Sequence, residues 1–141
     1  GNEGVAANVK RVKGSLGYVE YAYVKKNNMT FMQLQNADGK YVAPDDLTFA
    51  AAAAGADWMS VPGMGVSMVN AKGANSWPIS TASFILMYKQ PADKAAAAEA
   101  IKFFDWAFTN GKKMAQDLDY VALPDSLTTQ IRAKVWTQIQ K

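Results

Sequence analysis

The chain has 141 residues, of which 50% are hydrophobic and 19% charged, and it contains no cysteine and no histidine. It therefore lacks a thiol nucleophile, an imidazole base, a disulfide and the usual zinc ligands, so the composition argues against an enzyme. The formal net charge of +3 is mild, and acidic residues interrupt the basic ones near the start of the chain, which argues against a nucleic-acid partner.

The first part of the chain predicts a helix, a strand and a second helix. Val5, Val9 and Val12 recur with helical spacing, and Gly14 provides a stop. Residues 15–20 are rich in β-branched and aromatic side chains and predict a short buried strand. Residues 21–28 continue without a turn signal and predict a second short helix.

A hairpin and a third helix are expected next. Residues 31–35 alternate apolar and polar side chains, and the chain returns at residues 41–42 after an Asp-Gly turn. Residues 44–55 predict a helix with acidic residues in its first turn and Gly55 at its end. Residues 57–76 show no periodicity, and their glycines and prolines predict a long loop.

The second half predicts one buried strand and two helices joined by a further helical turn. Residues 83–88 form a continuous apolar run, which is typical of a strand buried on both faces of an α/β sheet. The long helix begins at residues 91–93 and ends at Gly111, and the last helix begins at Pro124. Residues 114–118 predict the extra turn. Strands that alternate with helices indicate an α/β fold.

Three short motifs resemble a phosphate loop, a calcium loop and a catalytic carboxylate pair, but each favours a structural interpretation. The Gly63–Gly65 loop lacks the Gly-Lys-Ser/Thr of a phosphate loop. The pair Asp117 and Asp119 lacks the glycine and the terminal glutamate of a calcium loop. The adjacent pair Asp45 and Asp46 is the tightest carboxylate pair, and its place at a helix start favours capping over catalysis.

The start of the chain is the most interesting anion candidate. Gly1 and Asn2 precede a helix whose free amides could hold an oxyanion, although an ordinary asparagine cap explains them too and Glu3 would repel a phosphate. The hydroxyls of Ser80, Thr81 and Ser83 could also donate to an anion, but bonds to nearby backbone are favoured for them.

Five stretches resemble the phosphate-binding proteins of the bacterial Pst ABC transporter. They occur in the family's order and spacing and span almost the whole chain: GNEGVAA at 1–7, GSLGYVEYAY at 14–23, WPIS at 77–80, KFFDWA at 102–107 and DLDYVALP at 117–124. The resemblance implies a two-lobe periplasmic binding protein of the type II solute-binding fold. This chain is its C-terminal part, with residues 1–74 in the second lobe and residues 75–141 returning to the first.

The resemblance also implies that the phosphate ligands lie upstream. The family's ligand groups include an early Thr-Phe pair and a Ser-Gly-Thr helix start, all before the segment that matches Gly1. No family ligand can therefore be carried over onto this chain, and Gly1 and Asn2 are the remaining candidates near the cleft. No metal and no cofactor are implied.

The expected function of the intact protein is capture of inorganic phosphate in the periplasm and delivery to an ABC transporter permease. The incomplete lobes should expose apolar faces, which either the missing N-terminal segment or self-association would cover. Two alternatives remain: a receptor for another oxyanion such as sulfate or molybdate, and a self-associating structural fragment.

Overall fold

The computed structural model describes residues 1–140 as a mixture of helices and short strands. In this part of the chain two strands pair as an antiparallel hairpin, β1 (Leu34–Gln35) and β2 (Tyr41–Val42). The α-helices follow one another in this order: α1 (Asn2–Arg11), α2 (Tyr21–Lys26), α3 (Asp46–Gly55), α4 (Lys94–Asn110), α5 (Lys112–Asp117) and α6 (Asp125–Gln130). The sequence predicts both helices and strands, and both are present, while the two-lobe type II fold stays a prediction.

The valine face of α1 is covered in part by the chain that follows it. A Cβ atom on Gly17 would come within 2.7 Å of a methyl group of Val9 and 2.8 Å of one of Val5, so only glycine allows this close approach. The predicted strand at residues 15–20 is wrong. Leu16 and Tyr18 are 80% and 87% exposed. A strand exists only through hydrogen bonds to a neighbour, and no other described segment pairs with this one.

Helix α3 begins as the acidic residues predict. The Thr48 amide donates to Asp45 Oδ1 over 2.8 Å, and the Asp45 amide donates to Thr48 Oγ1 over 3.0 Å. This reciprocal capping box satisfies two of the free amides at the helix start. Asp45 thus acts as a cap rather than as one half of a catalytic pair.

One apolar cluster, the central cluster, joins α3, the loop after it and the last helix. Its buried members come from positions far apart in sequence: Ala52, Ala53, Trp58, Met64, Met68 and Leu127. The Trp58 indole N–H donates to the Ala53 carbonyl over 2.7 Å, which satisfies its one polar group inside the cluster. Residues 57–76 are irregular, as predicted, but they supply three of the buried side chains.

Residues 83–88, predicted as the most buried strand, form no strand here. Nearby, Val69 and Ile79 make an isolated antiparallel bridge. The run itself has no partner among the described residues, and most of its side chains are exposed. The strand prediction is wrong for the same reason as at residues 15–20: the apolar pattern calls for neighbours on both edges, which this part of the chain does not supply.

The long helix α4 begins at a side-chain cap and packs through one face. The Ala96 amide donates to Asp93 Oδ1 over 2.9 Å at its start, and Ala97 and Ile101 are buried. Further along, Phe108 stacks on Trp136 with ring centroids 5.5 Å apart.

The predicted last helix begins as α6. It continues as a π turn at Ile131–Val135 and ends as a 3₁₀ turn at Trp136–Gln138. Over residues 1–140 no helix is both long and apolar enough to cross a membrane.

Candidate functional site

The start of α1, where the sequence suggests an anion site, is held by contacts within the chain. The Gly1 carbonyl accepts the Val5 amide over 3.2 Å. The Asn2 side chain turns away from the helix amides and accepts the Glu20 amide at Oδ1 over 3.1 Å. Asn2 therefore ties α1 to the residue just before α2 instead of capping its own helix.

A carboxylate occupies the space beside the first amides of α1. The Tyr23 hydroxyl donates to Glu3 Oε1 over 2.7 Å, and Glu3 Oε2 lies 3.2 Å from where a Cβ atom on Gly1 would stand. The hydroxyl of Tyr23 and the Glu3 amide lower the pKa of the Glu3 carboxyl. The same hydrogen bond raises the pKa of Tyr23, because it favours the protonated phenol.

A cleft of about 260 Å³ lies between α1 and α2 beside this pair. Its polar lining comes from Glu3, Lys10, Tyr23 and Asn27, and the Lys10 ammonium donates to Asn27 Oδ1 over 3.4 Å. One ammonium and one ionised carboxylate give the cleft no net positive charge. That Gly1 and Asn2 hold an anion stays a prediction.

Removing the Tyr23 hydroxyl should raise the pKa of Glu3. In Tyr23→Phe the carboxylate loses its main hydrogen-bond donor, so its pKa should move back toward the ordinary value, as an NMR titration of the Glu3 carboxyl would show. A carboxyl whose pKa is lowered on folding adds stability above its unfolded pKa and loses it as the pH falls. The variant should therefore lose less stability on acidification. Tyr18→Phe, at an exposed tyrosine, is the matched control; equal titration curves in all three proteins would contradict the assignment.

Two further candidates, Ser80 and Gly63, are engaged in local structure. The Ser80 hydroxyl donates to the Trp77 carbonyl over 3.1 Å, as the backbone interpretation predicts, while Thr81 and Ser83 are exposed. Gly63, with φ of 74°, lies in a 3₁₀ turn at Pro62–Met64.

The two aspartates of the calcium-like motif also have partners: Asp117 pairs with Lys113, and Asp119 pairs with Lys25. The structural interpretation of this motif is confirmed, since α5 ends at Asp117.

Asn36 makes a network of hydrogen bonds that could not be predicted from the sequence. It is 6% exposed and lies in the turn between β1 and β2. The two hydrogens of its amide group are shared among three carbonyls, those of Gly73 (3.2 Å), Ala74 (2.9 Å) and Ser76 (3.2 Å). Its carbonyl oxygen accepts two amides of its own turn. An asparagine beside an Asp-Gly turn signals local bonding, but its partners lie about 40 residues further along the chain.

The pair Lys25 and Asp119 joins α2 to the loop before the last helix. The Asp119 side chain is 14% exposed, and the Lys25 ammonium also lies 5.7 Å from the centroid of the Tyr21 ring. The hydrogen bond to Asp119 raises the pKa of Lys25. This contact connects residues that the resemblance places in different lobes, and the division at residue 74 stays a prediction.

A second cleft of about 120 Å³ lies where the end of α3 meets the start of α6. Half of its lining residues belong to the central cluster or pack against it, among them Trp58 and Leu127. Within residues 1–140, no group of three or more acidic side chains comes together in a way that could hold a metal ion. The described residues therefore present no assembled group of metal ligands.

Comparison with known proteins gives the class. No family model matches the chain. Curated relatives named phosphate-binding protein PstS match the chain. The relative from Pasteurella multocida is 49% identical over 141 residues, that from Xylella fastidiosa 48% over 133 residues and that from Haemophilus influenzae 43% over 141 residues. These alignments cover 94–100% of this chain but only 36–42% of the relatives.

These relatives are all named as binding proteins, so the chain is similar in sequence to that class of protein. It belongs to the PstS phosphate-binding protein family, as the five sequence stretches predict, and it spans about two fifths of the length of the curated relatives that it matches.

Proposed function

We propose that this chain is part of a periplasmic receptor that binds inorganic phosphate and delivers it to an ABC transporter. The observation that carries the proposal is the 43–49% identity, over nearly the whole chain, to proteins named for phosphate binding. Identity at this level makes a shared fold and a shared role the simplest explanation. In this proposal residues 1–74 and residues 75–141 contribute to two lobes that close on the anion.

The phosphate contacts themselves would come from outside this chain. At the start of α1 the Glu3 carboxylate, which the Tyr23 hydroxyl and the Glu3 amide keep ionised, would repel a phosphate because like charges repel. The Ser80 hydroxyl is committed to a backbone carbonyl. The contribution of the chain would then be scaffold, together with part of the surface that meets the permease.

Calorimetry on a chimera tests the proposal. The chimera is the Pasteurella multocida protein with its matched segment replaced by this chain, and the parent relative is the positive control. We expect the chimera to bind phosphate and the 141-residue chain alone to show no measurable binding. Tight binding by the chain alone would show that the ligands lie within it.

Competition distinguishes the alternative receptors. Sulfate and molybdate are added to the chimera at increasing concentration in the presence of phosphate. If either displaces phosphate at equal concentration, the receptor is one for another oxyanion. A folded chimera that binds none of the three anions would favour a purely structural role for the chain.

A further inference from the structure

The whole formal net charge of the chain, +3, comes from its first 26 residues. This segment holds five basic and two acidic side chains, while the basic and acidic residues of the rest of the chain are equal in number. The five basic residues are all exposed: Lys10, Arg11, Lys13, Lys25 and Lys26. Because Glu20 stands between them in sequence, they form no continuous basic run.

The structure separates the charges that the sequence interleaves. The Tyr23 hydroxyl donates to Glu3 over 2.7 Å, which places the first turn of α1 beside α2. At the other end the Lys10 ammonium donates over 3.4 Å to Asn27, the residue that follows α2. The two helices therefore run side by side in the same direction. Glu3 and Glu20 lie at their starts, and the basic residues lie together at their ends.

Four of these five cations pair with no carboxylate among the described residues. Lys25 pairs with Asp119, which raises the pKa of Lys25, and the charge of Asp46 raises it further. The other four form the basic patch: Lys10, Arg11, Lys13 and Lys26. Basic residues in the last turn of a helix complement its dipole, but Lys13 lies beyond α1. Since like charges repel, dipole compensation alone does not account for the basic patch.

The composition of the basic patch favours a lipid surface over a protein or a nucleic acid. The cores of protein interfaces are depleted in lysine and rely on buried aromatic or arginine anchors. The basic patch consists of three lysines and one arginine, and all four are exposed. A nucleic-acid site would show a denser basic stripe. Anionic lipid headgroups attract clusters of about four to eight lysines and arginines through charge, without a shaped pocket.

We infer that the basic patch binds anionic phospholipid headgroups at a membrane surface, with the ends of α1 and α2 toward the bilayer. This inference goes beyond the proposed function and does not depend on which anion the receptor carries. A receptor that delivers its ligand to a membrane transporter would benefit from such binding, because attachment to the same surface raises its effective concentration at the transporter.

Vesicle binding by the chimera of the calorimetric experiment tests the inference. Mixed vesicles of phosphatidylglycerol and phosphatidylcholine are compared with pure phosphatidylcholine vesicles in a sedimentation assay. The patch variant carries four substitutions: Lys10→Gln, Arg11→Gln, Lys13→Gln and Lys26→Gln. The control variant loses the same charge at four exposed lysines of other segments: Lys40→Gln, Lys72→Gln, Lys89→Gln and Lys94→Gln.

The unsubstituted chimera should bind the mixed vesicles, and neither pure phosphatidylcholine nor high salt should permit binding. Each cation beside an anionic surface strengthens binding about fivefold, so the patch variant should bind at least about 100-fold more weakly. The control variant should stay within about threefold of the unsubstituted chimera, because charges outside the patch are screened from the surface.

Failure of the unsubstituted chimera to bind the mixed vesicles overturns the inference. Equal losses in the two variants also overturn it, because net charge rather than the basic patch would then govern binding. Binding to polyglutamate or duplex DNA without binding to vesicles would assign the patch to an acidic protein or to a nucleic acid instead. Vesicle binding by a chimera that does not bind phosphate supports the basic patch and removes the proposed function, so the two failures are distinguishable.

Discussion

An Asn36→Ala variant is expected to lose about 3 kcal/mol of unfolding free energy. The buried side chain of Asn36 makes hydrogen bonds that water cannot replace without rearrangement of the surrounding loop. The carbonyls of Ala74 and Ser76 lose the donor that Asn36 supplies, and the Gly73 carbonyl keeps only the Ser76 amide. Two amides of the hairpin turn lose their acceptor. Each such bond contributes about 0.5–1.5 kcal/mol net, and a buried group left unsatisfied costs more. The effect is large against a total stability of roughly 5–15 kcal/mol.

Urea unfolding followed by tryptophan fluorescence measures this loss. Asn75→Ala is the matched control, since Asn75 is exposed on the same loop and should change the stability by less than about 0.5 kcal/mol. Asn36→Asp separates the two sets of hydrogen bonds. It keeps an acceptor for the turn amides and removes the donor to the three carbonyls. Equal stabilities of the two alanine variants would show that the loop does not depend on Asn36.

The second large effect is expected at Gly55, the last residue of α3. A Cβ atom there would overlap the carbonyl oxygen of Lys72, and the atom it meets is backbone, which cannot swing aside. Alanine normally stabilises a helix by up to about 1 kcal/mol relative to glycine. Here the overlap forces α3 and the Lys72 loop apart, so Gly55→Ala should cost about 1–3 kcal/mol, as overpacked sites do.

Gly4→Ala supplies a control with the opposite sign. Gly4 lies inside α1, and a Cβ atom there meets nothing within 4 Å. The same substitution should therefore raise the stability by about 0.5–1 kcal/mol, through the helix preference alone. Thermal or urea unfolding measures the change in stability of both variants relative to the unsubstituted chain. If Gly55→Ala also gained stability, the close packing of α3 against the Lys72 carbonyl would be contradicted.

The helices could be predicted from the sequence because their signals are local. The spacing of apolar residues, the acidic caps at Asp45 and Asp93, and the glycines at positions 55 and 111 fixed the limits of α3 and α4 to within a few residues. The hairpin was equally accessible, since its turn residues and its two strands lie within ten residues of one another. In each case the groups that stabilise the element are close in sequence.

Strands whose partners lie far away in sequence could not be predicted in this way. The patterns at residues 15–20 and 83–88 describe side chains that are suited to burial, but a strand also needs a partner, and pairing is a property of the whole polypeptide. The same limit applies at the start of α1. Local spacing identifies a helix start with free amides, but it does not reveal that Asn2 binds the Glu20 amide or that Glu3 binds the Tyr23 hydroxyl.

The central cluster has a consequence for how the protein is made. Its early members, such as Trp58 and Met68, leave the ribosome well before Leu127, and Ile131 and Val135 follow later still. At typical rates of translation this interval lasts for seconds, during which the tryptophan and the methionines have no cover from the last helix. We therefore expect nascent chains that are stalled before Leu127 to recruit chaperones that recognise apolar segments, and release of the last helix to end that association.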